Sequence, residues 1–207
     1  MITETFTLEE IQAAISKDYK KLCDTLHKHS AYFFRDFKRR HNRLNYPMIY
    51  TSTKKVTING NTYIGIFGSP TSSLEDFGFQ CYLQLNTSHG RRYYRIMVGC
   101  IVAAVSKHFI ERFIERSPYP CTKDNFLVYM AKELLTYMKM DLREDHVSYG
   151  ASVNGLVVMK GTTYVTYMTN LSQLKQKLME EVMEEMAAIP NKRKDSIRRQ
   201  IESLLNN

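Results

Sequence analysis

An α+β fold, with an antiparallel sheet packed against helices and helical segments at both ends, is predicted from three observations. Apolar residues recur at helical spacing near both ends of the chain and in its middle. Between these blocks lie stretches of β texture, two of them folded about short turn signatures. The resulting order of helix, strands, helices, strands, helices is that of helices segregated around an antiparallel sheet. One domain of 207 residues accommodates it: a helical segment at 1–45, a sheet-containing core at 46–169 and a helical extension at 170–207.

Thr7-Leu-Glu-Glu10 is a capping box and opens the first helix. Ile11, Ile15, Leu22 and Leu26 continue it, as one helix or two, to an end near Asn45-Tyr-Pro47. Phe33, Phe34 and Phe37 are interleaved with arginines and could stack bases. Their spacing makes one stripe, however, which assigns them to the core. From Met48 the texture becomes β. Val56 to Ile64 reads as a hairpin around Asn59-Gly60, a pair that tolerates the positive φ angles of a type I′ turn. Gly65 to Asp76, rich in Ser, Thr, Gly and Pro, reads as a mobile loop.

Phe79 to Asn86 is a strand, Ser88-His-Gly90 a turn, and Arg92 to Val105 a long strand with a doubly buried apolar end. Residues 107–116 form a charged helix that ends before Pro118 and Pro120. Lys123 to Met140 is a further helix with Phe126, Leu127, Met130, Leu134, Tyr137 and Met138 as its stripe. Val153–Met159 and Thr162–Met168 make a second hairpin around Lys160-Gly161. Leu171, Leu174, Leu178, Val182, Met186 and Ile189 line a long helix, and Pro190 separates it from a last basic helix with Ile197, Ile201 and Leu204.

Hydrophobic content of 43% and aromatic content of 12% belong to a folded chain and exclude global disorder. The opening Met-Ile-Thr-Glu-Thr-Phe-Thr lacks the basic and apolar regions of a signal peptide. The longest apolar run, Ile96 to Val105, is too short to span a bilayer as a helix. Cys23, Cys81, Cys100 and Cys121 are widely spaced, with no Cys-x-x-Cys pair, and Cys81 and Cys100 sit inside apolar strand patterns, which makes reduced, buried thiols the default. A cytoplasmic protein without a membrane partner is the expectation.

The net charge of +8 is concentrated. Residues 35–43 carry Arg35, Lys38, Arg39, Arg40 and Arg43 against one acid, and residues 191–199 carry Lys192, Arg193, Lys194, Arg198 and Arg199 against one acid. Each cluster has a balance of +4, so together they hold the whole excess. Concentrated positive charge attracts a phosphate backbone through counterion release, which makes RNA or DNA a candidate partner, beside a protein partner. Cations at helix ends have an ordinary structural role as well.

The run Lys107-His-Phe-Ile-Glu-Arg-Phe-Ile-Glu-Arg116 concentrates more ionisable groups on one predictable face than any other segment. On a helix, Phe109, Ile110, Phe113 and Ile114 fall on one side; His108, Glu111, Arg112, Glu115 and Arg116 fall on the other. Glu111 and Glu115 are like charges four apart, and so are Arg112 and Arg116. Each such pair costs an isolated helix about 0.2–0.5 kcal/mol. Rows arranged in this way suggest partners outside the helix, either other elements of the fold or a ligand.

Ser106, His108, Arg112 and Arg116 spell Ser-x-His-x-x-x-Arg-x-x-x-Arg, which resembles a segment of the small ribonuclease toxins of the RelE and BrnT kind and their uncharacterised relatives. Thr122 to Leu135 looks like the helix that follows in that family, and Asn154 to Thr169 like its closing strands. The resemblance covers residues 92–169 and implies a metal-independent RNA-binding or RNA-cleaving protein. Metal-free cleavage needs a base, an acid and cations for the charge on phosphorus. His108 could titrate near neutrality, Arg112 and Arg116 could clamp phosphate, and Glu111 or Glu115 could orient the imidazole or act as base. His108 and Glu111 could also start a metal site, but no third ligand is identifiable; His89 and His146 are only candidates. No metal or other cofactor is expected. The competing reading is a non-enzymatic module that binds nucleic acid or protein, with the charged helix merely holding the sheet.

Overall fold

The computed structural model describes residues 1–41, 50–69, 77–135, 138–141, 147–152 and 154–169. Helix α1 (Leu8–His41) is followed by β1 (Tyr50–Ile58), β2 (Asn61–Ser69), β3 (Gly78–Thr87), β4 (Gly90–Ile96) and β5 (Val102–Val105). Then come α2 (Lys107–Arg116), α3 (Phe126–Leu135), β6 (Met138–Asp141), β7 (Val147–Ala151), β8 (Leu156–Lys160) and β9 (Thr163–Met168). All nine strands join one sheet in the order β1-β2-β3-β4-β5-β9-β8-β7-β6. Every neighbouring pair is antiparallel except β5 and β9, which run parallel through Ala104↔Thr163 and Val105↔Tyr164. The α+β class is therefore the observed one. The sheet consists of two antiparallel meanders stitched side by side.

The capping box opens α1 as the sequence implies: Thr7 N–H donates to Glu10 Oε2 at 2.7 Å, and Glu10 N–H donates to Thr7 Oγ1 at 3.3 Å. Below it, Ile11, Ile15, Leu22, Leu26, Phe33 and Phe37 are buried against β1, β2 and β5, forming the core on one face of the sheet. Burial of each such side chain contributes about 1.5–3 kcal/mol. The stripe is interrupted by Asp18, which is 2% exposed. Its carboxylate accepts hydrogen bonds from Asn59 (2.7 Å), Asn61 (2.9 Å) and the Tyr63 hydroxyl (2.5 Å). Burial by itself raises the pKa of this carboxyl, but the three donors together outweigh it and hold the pKa below the ordinary value. The helix thus grips the β1–β2 turn, where Asn59 (φ 48°) and Gly60 (φ 78°) take the left-handed conformations that their residue types favour.

The opposite face carries α2 and α3 over a second core of Phe109, Phe113, Phe126, Met130, Tyr82, Tyr164 and Tyr167. Three expectations are corrected, and one strand is added to them. The strand expected over 92–105 is two antiparallel strands, because Gly99 (φ 75°) and Cys100 (φ 60°) reverse the chain and Met97 N–H closes onto the Ile101 carbonyl at 2.8 Å. The helix expected over 123–140 spans only Phe126–Leu135. Thr122 to Asn125 form a turn before it, and Met138 to Asp141 pair with β7 after it. β7 itself carries no strong strand signal and was not foreseen. Residues 65–69, assigned to a loop, extend β2. The predicted helices beyond residue 170, and Arg43, Lys192, Arg193, Lys194, Arg198 and Arg199 with them, lie outside the described residues.

A cationic cleft beside the charged helix

Helix α2 forms where the four-residue period predicts it. Ser106 caps it, its hydroxyl accepting from Phe109 N–H at 3.0 Å, while its own N–H donates to the Tyr164 carbonyl at 3.2 Å. Phe109 and Phe113 are fully buried, their rings 5.5 Å from Tyr164 and 4.9 Å from Tyr167 respectively. The helix therefore rides on β9, just beyond the parallel junction. His108 and Arg112 lie on a different face from the phenylalanines, with His108 exposed.

The polar row is largely occupied. Arg116 reaches across to donate to the Tyr167 carbonyl at 2.9 Å. Arg112 donates to Glu115 Oε2 at 2.6 Å, a bond that leads the Arg112 influence holding the Glu115 carboxyl below its ordinary pKa. Lys107 faces Glu111 loosely at 3.9 Å. The expectation of partners outside the helix thus holds for Arg116, whereas Arg112, Glu111 and Glu115 are paired within α2. None of His108, Arg112 and Arg116 lines the cleft at the N-terminal end of α2.

A cleft of about 750 Å³ opens at the other end of the same helix. Its cause is a mismatch of strand lengths. β5 stops at Val105, opposite Tyr93, so Gly90, Arg91 and Arg92 of β4 extend past it, and the chain turns away into α2. The floor of the notch is apolar, with Tyr93, Val105, Ile110 and Phe126. Burial raises the Tyr93 hydroxyl pKa against the opposing influence of Arg91, so this phenol stays neutral. The rim carries His89, Arg91, Arg92, Lys107 and Lys123 against Glu111 and Asp124. Arg91 is tied to Asp124 at 3.1 Å. Arg92 and Lys123 have no ion pair among the described residues. This cleft was missed in the sequence, where the only hint was Arg91-Arg92 directly after a Ser-His-Gly turn.

Of the basic cluster at 35–43, Arg35, Lys38 and Arg39 are exposed at the end of α1, and Arg40 belongs to the same helix. A second buried carboxylate was also missed. Glu133 of α3 is completely buried and accepts from Asn154 N–H at 3.1 Å, Asn154 Nδ2 at 2.5 Å and the Tyr167 hydroxyl at 3.4 Å. Burial first, and Glu133 next, push the Tyr167 and Tyr119 hydroxyls well above the ordinary phenol range. These groups lock α3 to the turn before β8. Among the described residues no group of three or more His, Cys, Asp or Glu side chains could hold a metal ion, and no helix is long and apolar enough to cross a membrane.

Fold and site together define an α+β protein with a cationic, apolar-floored cleft at a notch in its sheet. No protein-family model, no curated protein and no solved structure matches the chain.

Proposed function

We propose that this protein binds RNA non-covalently, with a phosphate-bearing segment seated in the notch beside the N-terminal end of α2. The observation that carries the reading is the pair of cations, Arg92 and Lys123, that have no ion pair among the described residues and stand on the rim of an apolar-floored cleft, joined by the loosely held Lys107. Cations without internal partners release counterions when phosphate arrives, and a concave apolar floor accepts a sugar or base face. Ser106 adds the capped helix start, whose backbone N–H groups favour an anion. The resemblance carried by Ser106, His108, Arg112 and Arg116 favours RNA over other polyanions. In this reading the charged row of α2 is scaffold, because Arg116 and Arg112 already have partners. The four unpaired cysteines support a reducing, cytoplasmic setting.

The test is a labelled-RNA titration at several salt concentrations on the wild type and on the Arg92→Gln/Lys123→Gln double variant, alongside a cleavage panel run with chelator. Salt-sensitive binding that the double variant weakens, without cleavage, is the expected result. Undiminished binding by that variant removes the cleft from the account. Cleavage that is lost in His108→Ala returns α2 to a catalytic role.

A further inference from the structure

The exposed side of α1 carries a second feature that the cleft does not use. Lys28, Tyr32, Arg35 and Arg39 are three or four residues apart, and all four are exposed. They form one stripe about 16 Å long at the helical rise. Tyr32 is 59% exposed, whereas Phe33 and Phe37 of the same helix are almost wholly buried and Tyr19 and Phe34 are partly buried. It is also held in place. The His29 ring stands 6.2 Å from Tyr32 and 5.2 Å from the buried Phe67, and the Arg35 guanidinium lies 4.9 Å over the Tyr32 ring. Lys54 of β1, exposed on the strand beside α1, is close enough to His29 to contribute, after burial, to lowering its pKa. A positioned aromatic ring among four cations has the composition of a stacking platform with a phosphate track.

We infer that the Lys28–Tyr32–Arg35–Arg39 stripe is a binding site for single-stranded nucleic acid, with one base stacked on Tyr32 and the flanking phosphates on Arg35, Arg39, Lys28 and Lys54. A single strand is specified because a duplex keeps its bases stacked and offers no free face to an exposed ring. Asp24, one turn before Lys28, supplies an acidic stop at that end of the stripe. The site is independent of the cleft and shares only its ligand class.

The chain contains no tryptophan, so a Tyr32→Trp variant carries a single fluorescent reporter at the platform. Titration of this full-length variant with a short oligouridylate at low salt is expected to quench the reporter strongly. The quench should be reversed by added salt, and a matched duplex should produce much less of it. Arg35→Gln combined with Arg39→Gln is expected to weaken single-strand affinity by about tenfold, and Tyr32→Ala by a comparable factor, with circular dichroism unchanged because all three side chains are exposed. Two outcomes overturn the inference. One is an unquenched reporter while anisotropy shows the oligonucleotide bound and the Arg92→Gln/Lys123→Gln variant loses that binding; this leaves the cleft reading standing. The other is equal quenching by polyglutamate, which marks a surface for acidic protein. Quenching that persists with full affinity in the cleft variant supports the stripe as a site that binds without the cleft.

Discussion

The two ends of α2 use charge in opposite ways. At its C-terminal end Arg116 is committed to a backbone carbonyl of β9 and Arg112 to a glutamate one turn on, so the cations there belong to the architecture. At its N-terminal end Arg92, Lys107 and Lys123 surround a notch, where Lys107 faces Glu111 loosely and Arg92 and Lys123 have no ion pair among the described residues. A helix can therefore look like a site along its whole polar face while only the groups at one end are available to a ligand. Availability depends on what the neighbouring strands leave unpaired, here β9 at one end and the overhang of β4 at the other.

Changes at four places sharpen the comparison, and the largest effect is expected at the buried Asp18. Asp18→Ala removes the acceptor of two buried donors, Asn61 and Tyr63, and of the turn residue Asn59, and is expected to destabilise the fold by about 2–4 kcal/mol, measured by urea denaturation. The pKa of Asp18 is depressed in the folded protein, so its stabilisation is complete above the ordinary carboxylate range and is lost as pH falls through the folded value. Asp18→Asn is accordingly expected to flatten part of the acid limb of the stability profile. An unchanged acid limb means that other carboxylates dominate it.

Next comes Arg116→Ala, expected to cost about 1–2 kcal/mol by stranding the Tyr167 carbonyl, with RNA affinity per folded molecule unchanged. A loss of affinity without a loss of stability would reverse the assignment of the two ends. Arg92→Gln/Lys123→Gln is expected to do the opposite: a melting midpoint within error of the wild type and about a tenfold loss of RNA affinity. The slope of log affinity against log salt should fall by about one for each phosphate contact removed. The smallest effect is expected for Arg112→Ala, which breaks only an exposed pair. Neither melting nor binding should change measurably, and a clear change in either gives this arginine a role beyond Glu115.

Helix α2 was legible in the sequence because its apolar period is short, complete and undisturbed, and Phe109 and Phe113 are buried as that period requires. The Asn59-Gly60 hairpin and the Thr7–Glu10 box were legible because turn and cap chemistry is local. What was not legible depends on partners distant in the chain. Met138 to Asp141 continue the stripe of the preceding helix and become a strand only because β7 is there to pair with them. Asp18 and Glu133 sit among apolar residues at helical spacing, and nothing nearby in sequence announces the asparagines and tyrosines that satisfy them. The cleft is a consequence of where β5 ends relative to β4, a relation set by the break at Gly99 and Cys100. Tyr32 escaped notice because the neighbouring phenylalanines dominate the same turn.

The parallel junction between β5 and β9 has a kinetic consequence. Within each meander, neighbouring strands are joined by short connections wherever the chain between them is described, and such pairings form early. The junction links residues far apart in the chain, with Ser106 bonding Val165 across 59 positions and Arg95 bonding Tyr164 across 69. Closing so long a loop before any contact rewards it is slow. Docking of the two meanders is thus expected to be the late event of folding. Substitutions along the junction, such as Tyr164→Phe, are then expected to speed unfolding while leaving the rate of folding nearly unchanged.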